Sequence, residues 1–376
     1  MKILHLADLH IGKKVNDFCM LNEQKYVLSQ ALDLIQEKNI EALLISGDIF
    51  DKGIPSIASL ELFENFLCEL NKYKIKVFII SGNHDNMDRL SYLSKFLEYS
   101  NIFISKSYNG KINFIPLNKN INIYLLPYLY PAIVKKFYPN TEIKNYNDAI
   151  RVVLENVELD ENKTNIILSH QFVIGKSSPE LSQSERKSVG GIDEVDYKNY
   201  SKFDYVALGH LHCAQKCGLE KIRYAGSILK YSFSEINQEK KFVVLNIGKN
   251  KKIKLDFYPI KFLHEMKEYR GFINDFLNKD FYEKIKTDDY IHFILEDEYV
   301  IDAKKKLSLI YPNIMLLEFD NSFTKNLNSN YESIVKDKTI LEHFKDFYKI
   351  QTNQDLDEIK ENLAKNLLSG GIEWDR

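Results

Sequence analysis

Residues 76–85 read KVFIISGNHD: a short apolar run, then glycine, an amide, an imidazole and a carboxylate. The run is strand-sized and uninterrupted, as expected of a strand buried on both faces of a parallel sheet. Open α/β sheets bind ligands outside the carboxyl ends of their strands. A buried strand that stops on Gly82-Asn83-His84-Asp85 therefore marks both a fold class and a place for chemistry.

The same sentence structure recurs upstream. KILHLA (2–7) runs into Asp8-Leu9-His10, and ALLISG (42–47) into Asp48. Between these strands, Val27, Leu28, Ala31, Leu32, Leu34 and Ile35 predict a helix over 22–38. Leu60, Phe63, Phe66, Leu67 and Leu70 predict another over 56–72. Strand, helix, strand, helix, strand is the order of βαβ units and a largely parallel inner sheet. Further strands are expected at 121–127, 164–170, 203–210, 222–227 and 241–248. Two of them end on ligand-type residues, Ser169-His170 and Gly209-His210-Leu211-His212. Residues 174–194 form a long Gly/Ser/charge-rich stretch, expected to be a functional surface loop.

The texture changes near 260. Residues 266–280 look helical, 288–298 strand-like, and 302–320 helix then strand. These features divide the chain into a main domain over 1–258, a small α+β domain over 262–322 and an amphipathic helical tail over 336–376. The tail's helical pattern ends near 370, with Ile340, Leu341, Phe344, Phe347 and Tyr348 at helical spacing.

Bulk composition sets limits. The 376 residues are 44% hydrophobic and 28% charged, ordinary for a globular chain able to bury a sizeable core. No apolar run approaches the ~20 residues that cross a bilayer. The chain enters its first strand without a signal-peptide pattern, and four scattered cysteines (19, 68, 213, 217) make no disulfide framework. A reduced, cytoplasmic protein is expected. The net charge of −2 argues against a passive nucleic-acid binder. It does not argue against an enzyme whose divalent cations bring positive charge.

The strand-end residues share one chemistry. Asp8 and His10, and His210 and His212, are i, i+2 pairs whose side chains would share one side of an extended chain. Imidazole, carboxylate and amide oxygen suit Mn²⁺, Fe²⁺ or Zn²⁺ better than a thiolate zinc site would. One ion can take Asp8, His10 and His212, and a second Asn83, His170 and His210, with Asp48 bridging. Two such ions clamp a phosphoryl group for in-line attack. His84, beside Asn83, would face the substrate and protonate the leaving oxygen, with Asp85 orienting it. A lone Asp-x-His at a strand end is usually a satisfied polar pair. Five clusters in order, holding five of the nine histidines, leave little room for that reading. His5, His264, His292 and His343 lack such context and are expected to be structural or surface residues.

In that order, DxH, GD, GNHD, a lone SH and GHxH resemble the calcineurin-like metallophosphoesterase family. The resemblance implies an α/β (α+β) fold, a sandwich of two β-sheets flanked by helices. All seven metal-ligand positions of the family motif match: Asp8, His10, Asp48, Asn83, His170, His210 and His212. His84 matches the catalytic histidine. Within the family, ILHLADLHIGKK, LLISGDIFDKGIPS and RYAGSILKYSFSE resemble the DNA-repair nuclease branch, across essentially the whole chain. Residues 288–320 resemble that branch's DNA-capping domain. This implies a Mn²⁺-dependent 3′→5′ exonuclease on double-stranded ends and an endonuclease on single strands and hairpins. It also implies a homodimer bound to two copies of an SMC-like ABC ATPase. Archaeal and eukaryotic relatives carry a second histidine three residues after the bridging aspartate. This chain has Asp51 there, as bacterial relatives do, so no catalytic role falls on it.

The chain supplies no P-loop of its own. At Gly175-Lys176-Ser177 the first Walker glycine is replaced by His170, so ATP dependence would come from a partner. The tail is a candidate for docking on the partner's coiled coil, with packing on its own domain the competing reading. Residues 87–99 could supply a dimer helix, or simply pack in the core. Two other function classes compete: a phosphatase or small-molecule phosphodiesterase on the same scaffold, and a non-catalytic scaffold for the ATPase. The appended region beyond 262 favours a macromolecular substrate over the former, and the intact ligand set disfavours the latter. Cys213 and Cys217 follow the GHLH cluster, but Cys-x₃-Cys is not zinc-knuckle spacing and no functional role is expected of them.

Overall fold

The first residues of the chain alternate. Ile3 turns to one face of the opening strand and Leu4 to the other, and both are fully buried. The computed structural model, which describes residues 1–176, 178–185, 193–320, 340–352 and 355–368, explains why. Its main strands, in chain order, are β1 (Lys2–Leu6), β2 (Ala42–Ser46), β3 (Lys76–Ile80), β4 (Ile102–Ile104), β5 (Phe114–Asn118), β6 (Ile121–Leu126), β7 (Thr164–Ser169), β8 (Tyr205–Leu208), β9 (Lys216–Cys217), β10 (Leu219–Tyr224), β11 (Lys241–Ile247) and β12 (Ile253–Pro259). They form two six-stranded sheets among the described residues, in the orders β12-β11-β1-β2-β3-β4 and β9-β10-β8-β7-β6-β5.

In each sheet four strands run parallel: β1 to β4 in the first, and β6, β7, β8 and β10 in the second. One apolar layer holds Ile3, Leu44, Phe78 and Ile80 of the first sheet with Ile123, Ile166, Leu168 and Ala207 of the second. The sheets therefore form a sandwich. Each leucine, isoleucine or phenylalanine here contributes about 1.5–3 kcal/mol when fully buried. The outer face of the second sheet is covered by the helix Tyr146–Glu155, whose Ala149, Ile150 and Val153 join Ile167, Val206 and Leu208. Helices α1 (Leu21–Lys38) and α2 (Ile57–Lys72) form where the periodicity predicts them. The Ser56 hydroxyl caps α2 by accepting from the Ser59 N–H at 3.2 Å, and α1 ends where Asn39 turns left-handed.

Two stretches differ from expectation. Residues 87–99 do not form one helix: Leu93, at φ 61°, separates the single turns Met87–Leu90 and Ser94–Leu97. This break leaves Tyr92, Leu93, Phe96 and Tyr99 exposed. Residues 266–271, read as helical, form instead a strand, β13 (Met266–Gly271).

The chain divides into two compact units, Met1–Lys267 and Glu268–Arg376. The division falls a few residues beyond 258–262 because the chain there is tied to the first unit. Ile260 N–H donates to Lys240 O, Lys261 N–H to Gln30 and Leu263 N–H to Glu23. In the second unit β13 pairs with β14 (Tyr290–Leu295), and β14 with β15 (Ile314–Phe319). A separate core gathers Phe276, Ile291, Phe293, Leu307 and Tyr311. Two further helices, Ile340–Thr352 and Glu358–Leu368, are linked by a Lys345–Glu361 ion pair at 2.7 Å. Of the expected capping domain and tail, residues 321–322, 336–339, 353–354 and 369–376 lie outside the described residues, as do 323–335 between the two. So do 177 and 186–192 of the long loop. No helix among the described residues is long and apolar enough to cross a membrane.

Candidate metal centre

Five parallel strands point their carboxyl ends the same way, three from one sheet and two from the other. β1 delivers Asp8 and His10, β2 delivers Asp48, and β3 delivers Asn83 and His84. β7 delivers His170, and β8 delivers His210 and His212. The strands stop short of these residues. Asp8 (φ 51°), His10 (φ 43°), Asp48 (φ 50°) and His210 (φ 101°) all lie in the left-handed region. The i, i+2 pairs therefore converge through strained turns, not through the strand alternation expected of an extended chain. Such backbone costs of order 1–3 kcal/mol per residue and is kept where surrounding structure enforces it.

The convergence is tight. Asp48 Oδ2 lies 3.6 Å from His10 Nε2 and 3.4 Å from His170 Nε2, between the two. His10 Nε2 and His212 Nε2 are 3.2 Å apart. Asn83 Oδ1 lies 3.2 Å from His170 Nε2 and 3.0 Å from His210 Nδ1. Asp8 receives the His210 N–H at 2.9 Å, and its Oδ1 is 3.9 Å from His170 Nε2. Donor atoms of Asp8, His10 and His212 lie within 4.8 Å of one another, as do those of Asp8, Asp48 and His170. Glycine makes room for this. A Cβ on Gly82 would stand 2.1 Å from Asp48 Oδ1, and one on Gly209 would stand 2.0 Å from Ser46 O.

Electrostatics follow from burial. Burial opposes the charge on Asp48, but His170 and His10 hold its carboxyl well below the usual range. Burial lifts Asp8 to about 7. His170 is driven the other way: its burial disfavours charge, yet Asp48 and Asp8 raise it to about 9. Burial, reinforced by His170, brings His210 down to about 3, and burial also keeps His10 neutral. His10, His210 and Asp48 thus stand in the forms that bind cations, neutral imidazole and ionised carboxylate, while His170 and Asp8 would give up protons on metal binding. His10 Nδ1 is buried with no hydrogen-bond partner among the described residues. The donor set and its spacing fit a pair of divalent cations.

His84 and Asp85 part company. His84 is exposed at the mouth, its Nδ1 3.0 Å from the Asp51 carbonyl, which can only accept. Asp85 does not orient it. Its carboxylate instead accepts N–H groups from Gly82 (2.9 Å), Ile49 (3.1 Å) and Phe50 (3.0 Å), tying the β3 turn to the β2 turn. The expected catalytic assignment of Asp85 is thus corrected to a loop brace, because all its close partners are backbone amides. Asp51 pairs with Lys13 at 2.9 Å. Lys13 and Lys52 line the same cleft of about 360 Å³ as His84 and the donors.

Sequence reading misses the groups behind His212. Ser184 Oγ lies 2.8 Å from His212 Nδ1 and 2.6 Å from Glu235 Oε1, and Glu185 accepts the His212 N–H. Buried Lys240 bonds Glu235 Oε2 and His212 O, both at 2.7 Å. Tyr231 and Gln24 hold the Leu9 carbonyl between the two β1 donors. No spacing signal marks these residues, since they lie 15 to 222 positions from the Leu9 carbonyl or the His212 that they hold. Three of the remaining histidines have partners of other kinds. His5 bonds Tyr205 and Ser46, His264 pairs with Glu23, and His292 lies between Glu268 and Glu318. All four cysteines are free thiols.

A two-sheet sandwich with carboxylates, imidazoles and an amide gathered at its strand ends defines a metal-dependent phosphoester hydrolase. Residues 1–214 match the model of the calcineurin-like phosphoesterase family, and the chain belongs to that family. It is 35% identical to SbcD of the nuclease SbcCD from Staphylococcus epidermidis over 376 residues, covering 98% of each chain. Among solved structures it is similar to a dimetal phosphatase from Danio rerio (12% identity, TM-score 0.40, 69% of this chain and 96% of that one). It is also similar to GAP50 of Plasmodium (12% identity, TM-score 0.38, 69% and 89%). Likenesses as slight as these two carry no weight on function.

Proposed function

We propose that this chain is a DNA repair nuclease that hydrolyses phosphodiester bonds with two Mn²⁺ ions. It acts as a 3′→5′ exonuclease on double-stranded ends and as an endonuclease on single-stranded and hairpin DNA. It works in the cytoplasm, at the nucleoid, as the nuclease subunit of an ATP-dependent complex with an SbcC-type SMC-like ABC ATPase, two copies of each. The observation that carries this is the 35% identity to a nuclease subunit over 98% of both chains, which includes the second unit beyond the family match. A hydrolase for small phosphoesters has no need of that unit.

Asp8, His10 and His212 would hold one ion, Asn83, His170 and His210 the other, and Asp48 would bridge them. When bound, the cations supply Lewis acidity to the phosphoryl oxygens and to an attacking water. The chain does the rest. Lys13 and Lys52 bring positive charge to the cleft for DNA phosphates. His84 donates through Nδ1 to the Asp51 carbonyl, and in its imidazolium form would give its Nε2 proton to the leaving 3′ oxygen, becoming the neutral ring. Exposed Ile54, Ile57, Tyr92, Leu93, Phe96 and Tyr99 support a homodimer, with a groove of about 430 Å³ running between Leu60 and Tyr92. The helices at 340–368 support docking on the partner ATPase.

The test is cleavage of end-labelled duplex DNA with Mn²⁺, with and without the ATPase partner, beside His84→Ala and Asp48→Ala. Wild type is expected to cut and both variants to fail. Turnover of a small phosphodiester without DNA cleavage would overturn the nuclease reading in favour of a small-molecule hydrolase.

A further inference from the structure

One segment of the long loop is fastened to the metal centre from outside. Glu180 N–H donates to Gln215 Oε1 at 3.0 Å, Gln183 N–H to Ser234 Oγ at 2.9 Å, and Ser184 reaches His212. The hydrogen-bond logic at Ser184 has one solution. Glu235 is buried, and its Oε2 takes a hydrogen bond from buried Lys240 Nζ at 2.7 Å, an ion pair that holds it as a carboxylate. A carboxylate only accepts, so the single Ser184 proton goes to Glu235, and Ser182, 2.6 Å away, donates its own hydroxyl proton to Ser184 Oγ. Ser184 Oγ must then accept from His212, which puts that ring's proton on Nδ1 and leaves the Nε2 lone pair toward His10. Lys240 anchors the arrangement at both ends, bonding Glu235 and the His212 carbonyl.

We propose that Ser184, backed by Glu235 and Lys240, is a positioning residue that sets the tautomer of His212 and so arms one metal subsite and not the other. The inference rests on the two-metal reading of the site. His170 on the far side of Asp48 needs no such help, because its Nδ1 already donates to the Ser46 carbonyl at 2.7 Å. Loss of Ser184 should therefore act selectively. Partners behind metal-binding histidines typically change metal affinity about 10–100-fold.

The test is Mn²⁺ titration of the full chain by calorimetry, with paramagnetic resonance at one and two equivalents. Wild type is expected to bind two ions and give a spin-coupled pair. Ser184→Ala should weaken one of the two binding steps by about 10–100-fold and show an uncoupled ion at two equivalents. Ser184→Thr, which keeps the hydroxyl, should restore the pair. Ser184→Cys, nearly isosteric but with a weak acceptor sulfur, covers the case where the alanine variant does not fold and should shift the same way. Two bound ions in wild type with unchanged isotherms in Ser184→Ala and Ser184→Cys would overturn the inference alone. Equal weakening of both steps, or failure of Ser184→Thr to restore, would do the same. A wild type that binds a single ion would overturn the two-metal reading and the inference with it.

Discussion

His170 and His212 stand on opposite sides of the same small site and are held in opposite ways. His170 directly follows β7 and donates to a main-chain carbonyl, Ser46 O, at the end of β2. His212 lies beyond a turn and depends on side chains from two distant segments, Ser184 and the Glu235–Lys240 pair. A ring fixed by backbone comes with the sheet. A ring fixed by side chains can be lost one substitution at a time. The sandwich thus builds one half of the centre as part of folding, and added loops complete the other.

The largest expected effect ignores the distinction. Asp48 stands between the two sides, so Asp48→Ala should abolish DNA cleavage and lose both ions by elemental analysis. Unchanged metal content would remove Asp48 from its bridging place. Next comes His84→Ala, which should leave metal content intact while kcat falls about 10²–10⁴-fold, the usual worth of a positioned general acid. The comparison itself is sharpened by Ser46→Ala. The Ser46 hydroxyl bonds His5 and the Ala207 carbonyl, while the carbonyl that holds His170 survives the substitution. Stability should drop by about 1 kcal/mol, read by chemical denaturation, with Mn²⁺ affinity unchanged. A large affinity loss would mean that the His170 side is as dependent on side chains as the His212 side. The smallest effect concerns Cys213 and Cys217. Burial raises both thiols to about 12, so near pH 8 alkylation monitored by mass spectrometry should label exposed Cys19 and Cys68 first.

The same contrast explains what the sequence discloses. Buried parallel strands write themselves as apolar runs, and the residues just after them are where such a sheet places its chemistry. The order of β1, β2, β3, β7 and β8 and the residues at their ends are therefore legible. The geometry of those residues is not, because Asp8, His10, Asp48 and His210 leave the extended conformation at the point where alternation would have to hold. Asp85 misleads for a related reason: adjacency to His84 suggests a partner, but three backbone amides outbid the ring for its carboxylate. Ser184, Glu235 and Lys240 leave no trace, since contacts across 28 to 51 residues carry no periodicity. In the second unit, β13 reads as helix because its residues are mostly exposed or half-buried and lack the apolar run of a central strand.

The central claim is that strand-end residues from both sheets make one two-metal site with Asp48 between the ions. Anomalous scattering from crystals grown with Mn²⁺ tests it most directly. The expected result is two peaks about 3.5–4 Å apart on either side of Asp48, one beside Asp8, His10 and His212 and the other beside Asn83, His170 and His210. A single peak, or peaks away from Asp48, would contradict it.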